Sequence, residues 1–240
     1  MCAQPDRNWQ PGLLKGDKLR AWAHATAETA TTMTLLGPRT AETAVVLTRE
    51  ITDGAQQAMD AGPHQDERAC HEGCPGCCHS LISITPPDAL TLADWLRDEM
   101  PEEKVDAIRQ QAEENAVKSH EMDNEQYAAS MIWCPLLDSN LNCSVYPVRP
   151  VCCRAWNSLS LEACHICYFS NHTSKTIPLD DHAYEIGQGA RSGFAEAIGA
   201  AGLDGDSYEL NSVLVTALDR PDAAECWARG EEVFEQCHKV

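Results

Sequence analysis

The sequence predicts a mostly α-helical protein in which N- and C-terminal helices flank an irregular, cysteine-rich core with at most a short strand or two. The 240 residues include only three Phe and five Tyr, a composition that favours packed helices over an all-β sandwich. Apolar residues recur at three- and four-residue steps on both sides of the centre, as in amphipathic helices. Ten of the thirteen cysteines lie between Cys70 and Cys167, where this periodicity is lost.

Two helices are predicted before the cysteines. Residues 17–36 form the first, although their threonine content lowers helix propensity. The second has Ala44, Leu47 and Ile51 on one face, and a Gly-Pro pair at 62–63 ends it.

Two further helices are predicted after the first cysteine cluster. Residues 80–85 (SLISIT) are either a short strand or buried extended chain, because their length does not distinguish the two. Thr85 is the expected N-cap of a helix over 86–100, with proline in its first turn. Pro101 opens a second helix, predicted to run over 101–131.

Residues 133–172 show no sustained hydrophobic periodicity, so an apolar helix face or strand face does not explain how they fold. Bound metal could organise this segment instead. The pattern returns to helix at 181–200. A further helix over 210–218 is expected behind Ser207 as its N-cap, and a last one over 223–237.

Three units are therefore expected along the chain. Residues 1–65 are an N-terminal helical segment, residues 66–175 a cysteine-cluster domain that binds metal, and residues 176–240 a C-terminal helical segment that packs on it.

Charge and cysteine usage restrict the class of partner. The formal net charge of −19 repels phosphate backbones and anionic membrane surfaces, so neither nucleic acid nor membrane is an expected partner. No stretch approaches the roughly 18 apolar residues of a membrane span, and the sequence predicts a cytoplasmic protein. A reducing cytosol keeps thiols free, which leaves metal binding or redox chemistry for the cysteines.

The cysteines fall at spacings that suit thiolate metal ligands. The segment CPGC presents Cys74 and Cys77 from one tight turn, and Cys70 adds a third sulfur. Adjacent residues in extended chain point in opposite directions, so Cys78 favours two metal centres or a multinuclear cluster. A second group supplies further sulfurs at Cys134, Cys143, Cys152, Cys153, Cys164 and Cys167. This supply exceeds one four-cysteine site, and more than one atom of zinc or iron is expected per chain, with a [4Fe–4S] cluster as one form of iron.

The order C-x-x-x-C-x-x-C-C, then C-P-L-L-D, then a cysteine before V-Y-P-x-R-P-x-x-C-R resembles the YkgJ-type cysteine-cluster family, which is named for zinc or iron chelation. The resemblance covers about 70–154. It implies ligand roles for Cys70, Cys74, Cys77, Cys78, Cys134, Cys143 and Cys153, framed by Tyr146, Arg149, Pro150 and Arg154. Cys152 and the pair Cys164 and Cys167 depart from the family pattern. The cluster also occurs in flagellin lysine methylases, which points to chemistry on protein side chains.

Alternatives remain open at several positions. Cys164 and Cys167 are either ligands or a redox dithiol, and a histidine could complete a site of three cysteines. The candidate histidines are His71, His79, His165 and His172. Cys2, Cys226 and Cys237 are expected to be bystanders. Arg149 and Arg154 are predicted to bind the cofactor by balancing thiolate charge, although capping of carbonyls would also explain them.

Two functions are compatible with these residues. In the first, a zinc or iron centre supports modification or redox chemistry on a protein or peptide partner. In the second, closed zinc sites only fold the irregular segment, and the module mediates protein–protein interaction without catalysis. The spacing of the first three cysteines also occurs in radical S-adenosylmethionine enzymes, but the β/α barrel of those enzymes is not predicted here. No catalytic side chain stands out.

Overall fold

A computed structural model describes residues 14–120, 122–169 and 176–240 and confirms the mostly α-helical class. The helices of these residues are α1 (Asp17–Leu35), α2 (Thr43–Asp60), α3 (Pro86–Glu99), α4 (Glu102–Ser119), α5 (Asn124–Ser130), α6 (Val151–Ala155), α7 (Leu161–Phe169), α8 (Asp181–Ala200), α9 (Leu210–Asp219) and α10 (Ala223–Ala228). The strands β1 (Ser83–Ile84) and β2 (Tyr208–Glu209) form an antiparallel pair, with Ser83 opposite Glu209 and Ile84 opposite Tyr208. Within the described residues, no helix is long and apolar enough to cross a bilayer.

The predicted N-terminal helices are present, and α1 packs closely along α8. Glycines make this approach possible, because a Cβ added at Gly193 would lie 2.1 Å from the His24 carbonyl oxygen. A Cβ at Gly189 would lie 2.2 Å from the carbonyl oxygen of Arg20. The α8 backbone therefore lies against the α1 backbone, and α8 is held where its other residues can reach the cysteines.

The predicted N-cap of α3 is confirmed. The Thr85 N–H (3.0 Å) and hydroxyl (2.8 Å) both donate to Asp88 Oδ2, which completes a capping box. The preceding segment is the strand β1, so residues 80–85 include both short strand and extended chain.

Three helix limits were wrong in the sequence prediction. The expected helix over 101–131 divides into α4 and α5, because Asp123 accepts a hydrogen bond from Gln126 N–H (2.9 Å) and starts a new helix. The N-cap of α9 is Glu209 and not Ser207, since its carboxylate accepts from the Ser212 N–H at 2.9 Å.

The expected helix over 223–237 is also too long. Helix α10 ends at Ala228, and Gly230 has a φ of +78°, a left-handed conformation that helices commonly use to stop. The chain then returns to β2, where the Glu209 N–H donates to the His238 carbonyl at 2.8 Å.

One hydrophobic core joins the beginning, the middle and the end of the described chain. Its fully buried members include Leu47 of α2, Leu92 of α3 and Trp227 of α10. Residues 133–169, called the central segment below, add the short helices α6 and α7, which the sequence pattern did not predict. Helix α6 packs against α2 and α8, so these two long helices support the cysteines that α6 carries.

Candidate metal centre

The cysteines meet around two adjoining cavities. The larger has a volume of about 470 Å³ and a mainly apolar wall, and is called the apolar cavity. The smaller has a volume of about 310 Å³, and we call it the polar cavity because charged and amide side chains form much of its wall. Cys74, Cys77 and Cys153 line both, Cys78, Cys134, Cys143 and Cys152 line the apolar cavity, and Cys70 and Cys164 line the polar cavity. Nine of the ten predicted ligands thus line a cavity, and Cys167 lines neither.

Consecutive tight turns position the first group of cysteines. The Cys74 N–H donates to the His71 carbonyl at 3.1 Å, and the Cys78 N–H donates to the Pro75 carbonyl at 2.9 Å. Gly73 starts these turns with a φ of +83°, a conformation that costs glycine little. The turns bring several sulfurs to one face of a short segment.

Cys77 and Cys78 do not lie in extended chain, which was the basis for expecting their side chains to point in opposite directions. Both line the apolar cavity, and so do the adjacent Cys152 and Cys153. The first pair lies in a turn and the second in a short helix, so the alternation of extended chain does not apply. Adjacency alone therefore does not argue for two metals.

The second group is joined to the first through the backbone. The Cys134 N–H donates to the Cys78 carbonyl at 2.7 Å. Cys143 then returns beside Cys134 through an isolated antiparallel bridge between Leu137 and Cys143. The Asp138 carboxylate accepts from the backbone N–H groups of the intervening turn, and the bond from residue 142 lowers the pKa of this carboxyl.

The two predicted arginines have different surroundings. Arg149 stacks on the Tyr146 ring, with 3.6 Å from its Cζ to the ring centroid, and lines both cavities. Arg154 lines the polar cavity, and donates to the carbonyls of Arg149 (2.8 Å) and Pro147 (2.5 Å). Arg149 is thus placed to balance charge on the sulfurs, whereas Arg154 supports the loop that carries Arg149.

Cys70 and Cys164 meet at Ser158, a buried residue that sequence reasoning missed. The Ser158 N–H donates to Cys70 Sγ at 3.2 Å. Burial raises the pKa of Cys164, and the neighbouring Ser158 hydroxyl lowers it. Cys167 lies one turn further along α7, close enough for a charge on it to raise the pKa of Cys164.

A buried ion pair holds the chain segment that leads into Cys70. Sequence reasoning missed this pair as well. Arg68 Nε donates to Asp180 Oδ2 at 2.8 Å, and its terminal nitrogens donate to Asp60 Oδ1 (2.7 Å) and to the Met59 carbonyl (2.6 Å). The side chain of Asp180 is fully buried and that of Arg68 is 10% exposed. The only sequence signal was an arginine two residues before Cys70, because Asp180 is far away along the chain.

Several of the clustered thiols have a raised pKa, whereas the pKa of Cys152 is lowered, chiefly by its interaction with Cys153. Burial is the main cause that raises the pKa of Cys70, Cys143 and Cys164, and it raises the pKa of Cys134 to about 12. The pKa of Cys77 is raised first by the hydrogen bond to Cys78 and then by burial. A charge on Cys77 would raise the pKa values of Cys70, Cys134, Cys143, Cys153 and Cys164 further. Cys77 therefore lies within electrostatic range of cysteines on both cavities.

The candidate histidines lie in different environments. His79 is 2% exposed and packs edge-on between the rings of Trp133 and Tyr168, with centroids 5.2 and 5.1 Å away. His71 lines the polar cavity, and its Nδ1 lies 2.8 Å from the Glu72 carbonyl. His165 is exposed on α7. His172 and Cys2 lie outside the described residues.

The expected bystanders lie apart from both cavities. Cys226 contacts Arg220, Arg229 and Asp222 near α10. Cys237 contacts Thr216 on α9, with 3.2 Å between Sγ and Oγ1. Neither residue lines the apolar or the polar cavity.

The donor set fits zinc or iron by its chemistry. Clustered thiols suit both metals, and none of the twelve described cysteines forms a disulfide. In the described parts of the chain, however, no three His, Cys, Asp or Glu side chains are placed together as a metal site requires. The structure thus brings the donors to common cavities without defining a coordination sphere.

Comparison with known proteins agrees with the cysteine pattern. No curated protein and no solved structure matches the chain. A family model with the description "CxxCxxCC: Putative zinc- or iron-chelating domain" matches residues 69–174, which include all ten cysteines of the cluster. The resemblance inferred from the cysteine order is confirmed, because this family model covers residues 69–174, somewhat less than half of the chain.

Proposed function

We propose that this protein holds zinc or iron at an open centre, and that the centre supports modification or redox chemistry on a protein or peptide partner. The observation that carries this proposal is the apolar cavity of about 470 Å³, whose wall includes seven of the cysteines. Structural zinc sites are closed by four protein ligands, whereas catalytic sites keep a position for water or substrate. A cavity of ligand size beside the thiols favours the second kind of site.

The ten cysteines of the cluster are the residues that would hold the metal. Their placement around two cavities supports more than one metal atom per chain: Cys70 and Cys164 line only the polar cavity, Cys78, Cys134, Cys143 and Cys152 line only the apolar cavity, and Cys74, Cys77 and Cys153 line both. Bound zinc would supply a Lewis acid, and an iron–sulfur cluster would supply electron transfer.

The surroundings of the thiols support a charged centre. Several thiolates around one divalent ion leave a net negative charge, which nearby cations stabilise. The neighbouring Cys78 raises the pKa of Cys77 and burial raises the pKa of Cys143, and the Arg149 guanidinium opposes both shifts. Arg149 thus favours the deprotonated thiols that metal binding needs.

Exposed apolar side chains at the mouth of the apolar cavity support a macromolecular partner. Leu141 is 43% exposed and lines both this cavity and a neighbouring surface pocket, where Met131 is 39% exposed. A peptide segment lying over these residues would have direct access to the cysteines.

Metal analysis with visible and spin-resonance spectra tests the proposal on protein purified without oxygen. We expect more than one metal atom per chain, and spectra that change when a reductant or azide is added. If zinc is found, replacement by cobalt makes azide binding visible. A fully occupied metal whose spectrum responds to neither addition would instead identify closed sites, and the protein would then be a structural zinc module for protein–protein interaction.

A further inference from the structure

We propose that the apolar cavity binds an apolar group that bears a carboxylate, and that Arg149 holds the carboxylate. This inference rests on the proposed function, because it names the chemical class of substrate for the same centre.

The cavity has the size and the wall of a ligand site. Its volume of about 470 Å³ lies within the range of roughly 300–1,000 Å³ typical of small-molecule sites. Sulfur ligands lie at about 2.3 Å from zinc, so a metal centre accounts for only a part of this space. The apolar part of the wall includes Leu81, Ile82, Leu136, Leu137, Val145 and Leu210. An aliphatic or aromatic group would bury apolar surface there.

Apart from its cysteines, whose negative charge as metal ligands would be offset in part by the metal, the wall carries charge opposite to that of the protein. The chain has a net charge of −19 with 37 acidic residues. In the described residues, however, no Asp, Glu or Lys lines this cavity, and its charged side chains are Arg149 and Arg191. A wall that excludes carboxylates and carries two guanidinium groups favours an anionic ligand.

Arg149 is better placed than Arg191 to hold that anion. The Arg191 side chain donates to the carbonyl and the hydroxyl of Ser83 at 3.0 and 2.8 Å, and its charge also acts on buried Asp88. Arg149 donates from Nε to the Tyr146 carbonyl at 3.3 Å and stacks on the Tyr146 ring. No described residue accepts a hydrogen bond from the two terminal nitrogens of Arg149. A guanidinium fixed in this way presents the paired donors that a carboxylate accepts.

Two sources could supply this chemistry: a free small acid, or the C-terminal residue of a peptide with an apolar side chain. Both place a carboxylate beside an apolar group, and the structure favours that combination. The experiment therefore uses probes of both kinds.

Binding is measured by calorimetry on the metal-loaded protein with phenylbutyrate, phenylbutanol and phenylbutylamine, which share one apolar group. We expect the acid to bind at least about tenfold more tightly than the alcohol, the range for hydrogen bonds to a charged group, and the amine to bind most weakly. Arg149→Gln should bring the acid to the affinity of the alcohol. Arg220→Gln, which removes a charge near α10, is the matched control and should keep the preference. Leu137→Trp fills the cavity and should weaken acid and alcohol alike.

Acetylated Gly-Phe and its C-terminal amide identify the source of the ligand. Preference for the peptide acid over its amide and over phenylbutyrate indicates a peptide terminus, and binding of phenylbutyrate alone indicates a free acid. Either result supports the carboxylate site. Equal affinity for acid and alcohol, an acid preference that survives Arg149→Gln, or acid binding only after metal removal would overturn the inference. Metal content is recorded for every sample. A protein that holds no metal counts against the proposed function, whereas a metal-loaded protein that does not bind the acid counts only against this inference.

Discussion

Removal of the Arg68 side chain is expected to weaken both the fold and the metal centre. Arg68 joins the end of α2 to the N-cap of α8 through Asp60 and Asp180. The next residue continues the same connection, because the Ala69 N–H donates to the Ser158 carbonyl at 2.8 Å. Ser158 in turn donates to Cys70 Sγ. Arg68→Met keeps much of the side-chain volume and removes the charge and all of the hydrogen bonds.

The burial of Asp180 determines how much stability the Arg68→Met variant is expected to lose. Its side chain is fully buried, so Arg68→Met leaves a carboxylate without its cation, a change that typically costs about 3–5 kcal/mol. This is a large part of a total stability of about 5–15 kcal/mol. In Asp180→Asn, the amide oxygen can still accept from the Ala183 N–H and cap α8, and we expect a loss of about 1–3 kcal/mol. The double variant should lose less than the sum, because the two changes remove one interaction.

Urea unfolding of the metal-loaded protein, followed by helical circular dichroism, measures these losses. Arg109→Met is the matched control, since Arg109 pairs with Asp219 at the surface, where such pairs contribute about 0–1 kcal/mol. Transfer of metal to a chelator from the folded protein measures the effect on the centre. We expect Arg68→Met to lower metal affinity by about 10–100-fold, as for other residues that orient a ligand. If Arg68→Met costs no more than Arg109→Met, the pair does not hold the site.

Three further predictions follow from the same structure. Cys153→Ser should lower the metal content per chain while Cys237→Ser should not, and equal loss in both would refute the ligand assignment. Chelation should expose the central segment to protease while α1 and α8 keep their helical signal, and unchanged cleavage after verified metal loss would contradict a role of metal in folding it. Gly193→Ala should destabilise the protein by about 1–3 kcal/mol, because the added Cβ meets the α1 backbone. Gly199→Ala meets no atom within 4 Å and should stabilise by about 0.5–1 kcal/mol; thermal melting compares the two.

Local sequence signals predicted several helices whose limits depend on neighbouring residues. The N-cap of α3 is an example, because Thr85 and Asp88 are three residues apart and complete the box by themselves. Two of the wrong limits, at Asp123 and at Gly230, depend on local features that the sequence prediction overlooked, whereas the third is set by a distant strand. Glu209 caps α9 while it lies in β2 opposite Ser83, a pairing that no local pattern reveals.

The membership of the cysteine cluster was predictable, but its spatial grouping was not. Spacing identifies sulfurs that can share a turn, as with Cys74 and Cys77. It does not show that Cys164 meets Cys70, because that meeting depends on Ser158 and on the pairing of Ser158 with Leu179. Contacts of this kind are made by tertiary packing, and their residues carry no distinctive pattern along the chain.

Different regions of the chain form the cysteine cluster and the rest of the apolar cavity. This separation bears on which substrate the centre can act on. The family segment, residues 69–174, supplies the cysteines of the cluster and Arg149. Another part of the wall of the apolar cavity comes from outside that segment, with Tyr184 and Gln188 of α8 and Leu210 of α9. Helix α8 is held in place by glycine contacts with α1, so the shape of the cavity depends on both flanking regions. A relative with the same cysteines and different flanking helices would therefore present the same donors to a different cavity. In the proposed function, the cysteine domain determines the chemistry, and the flanking helices determine which substrate can reach it.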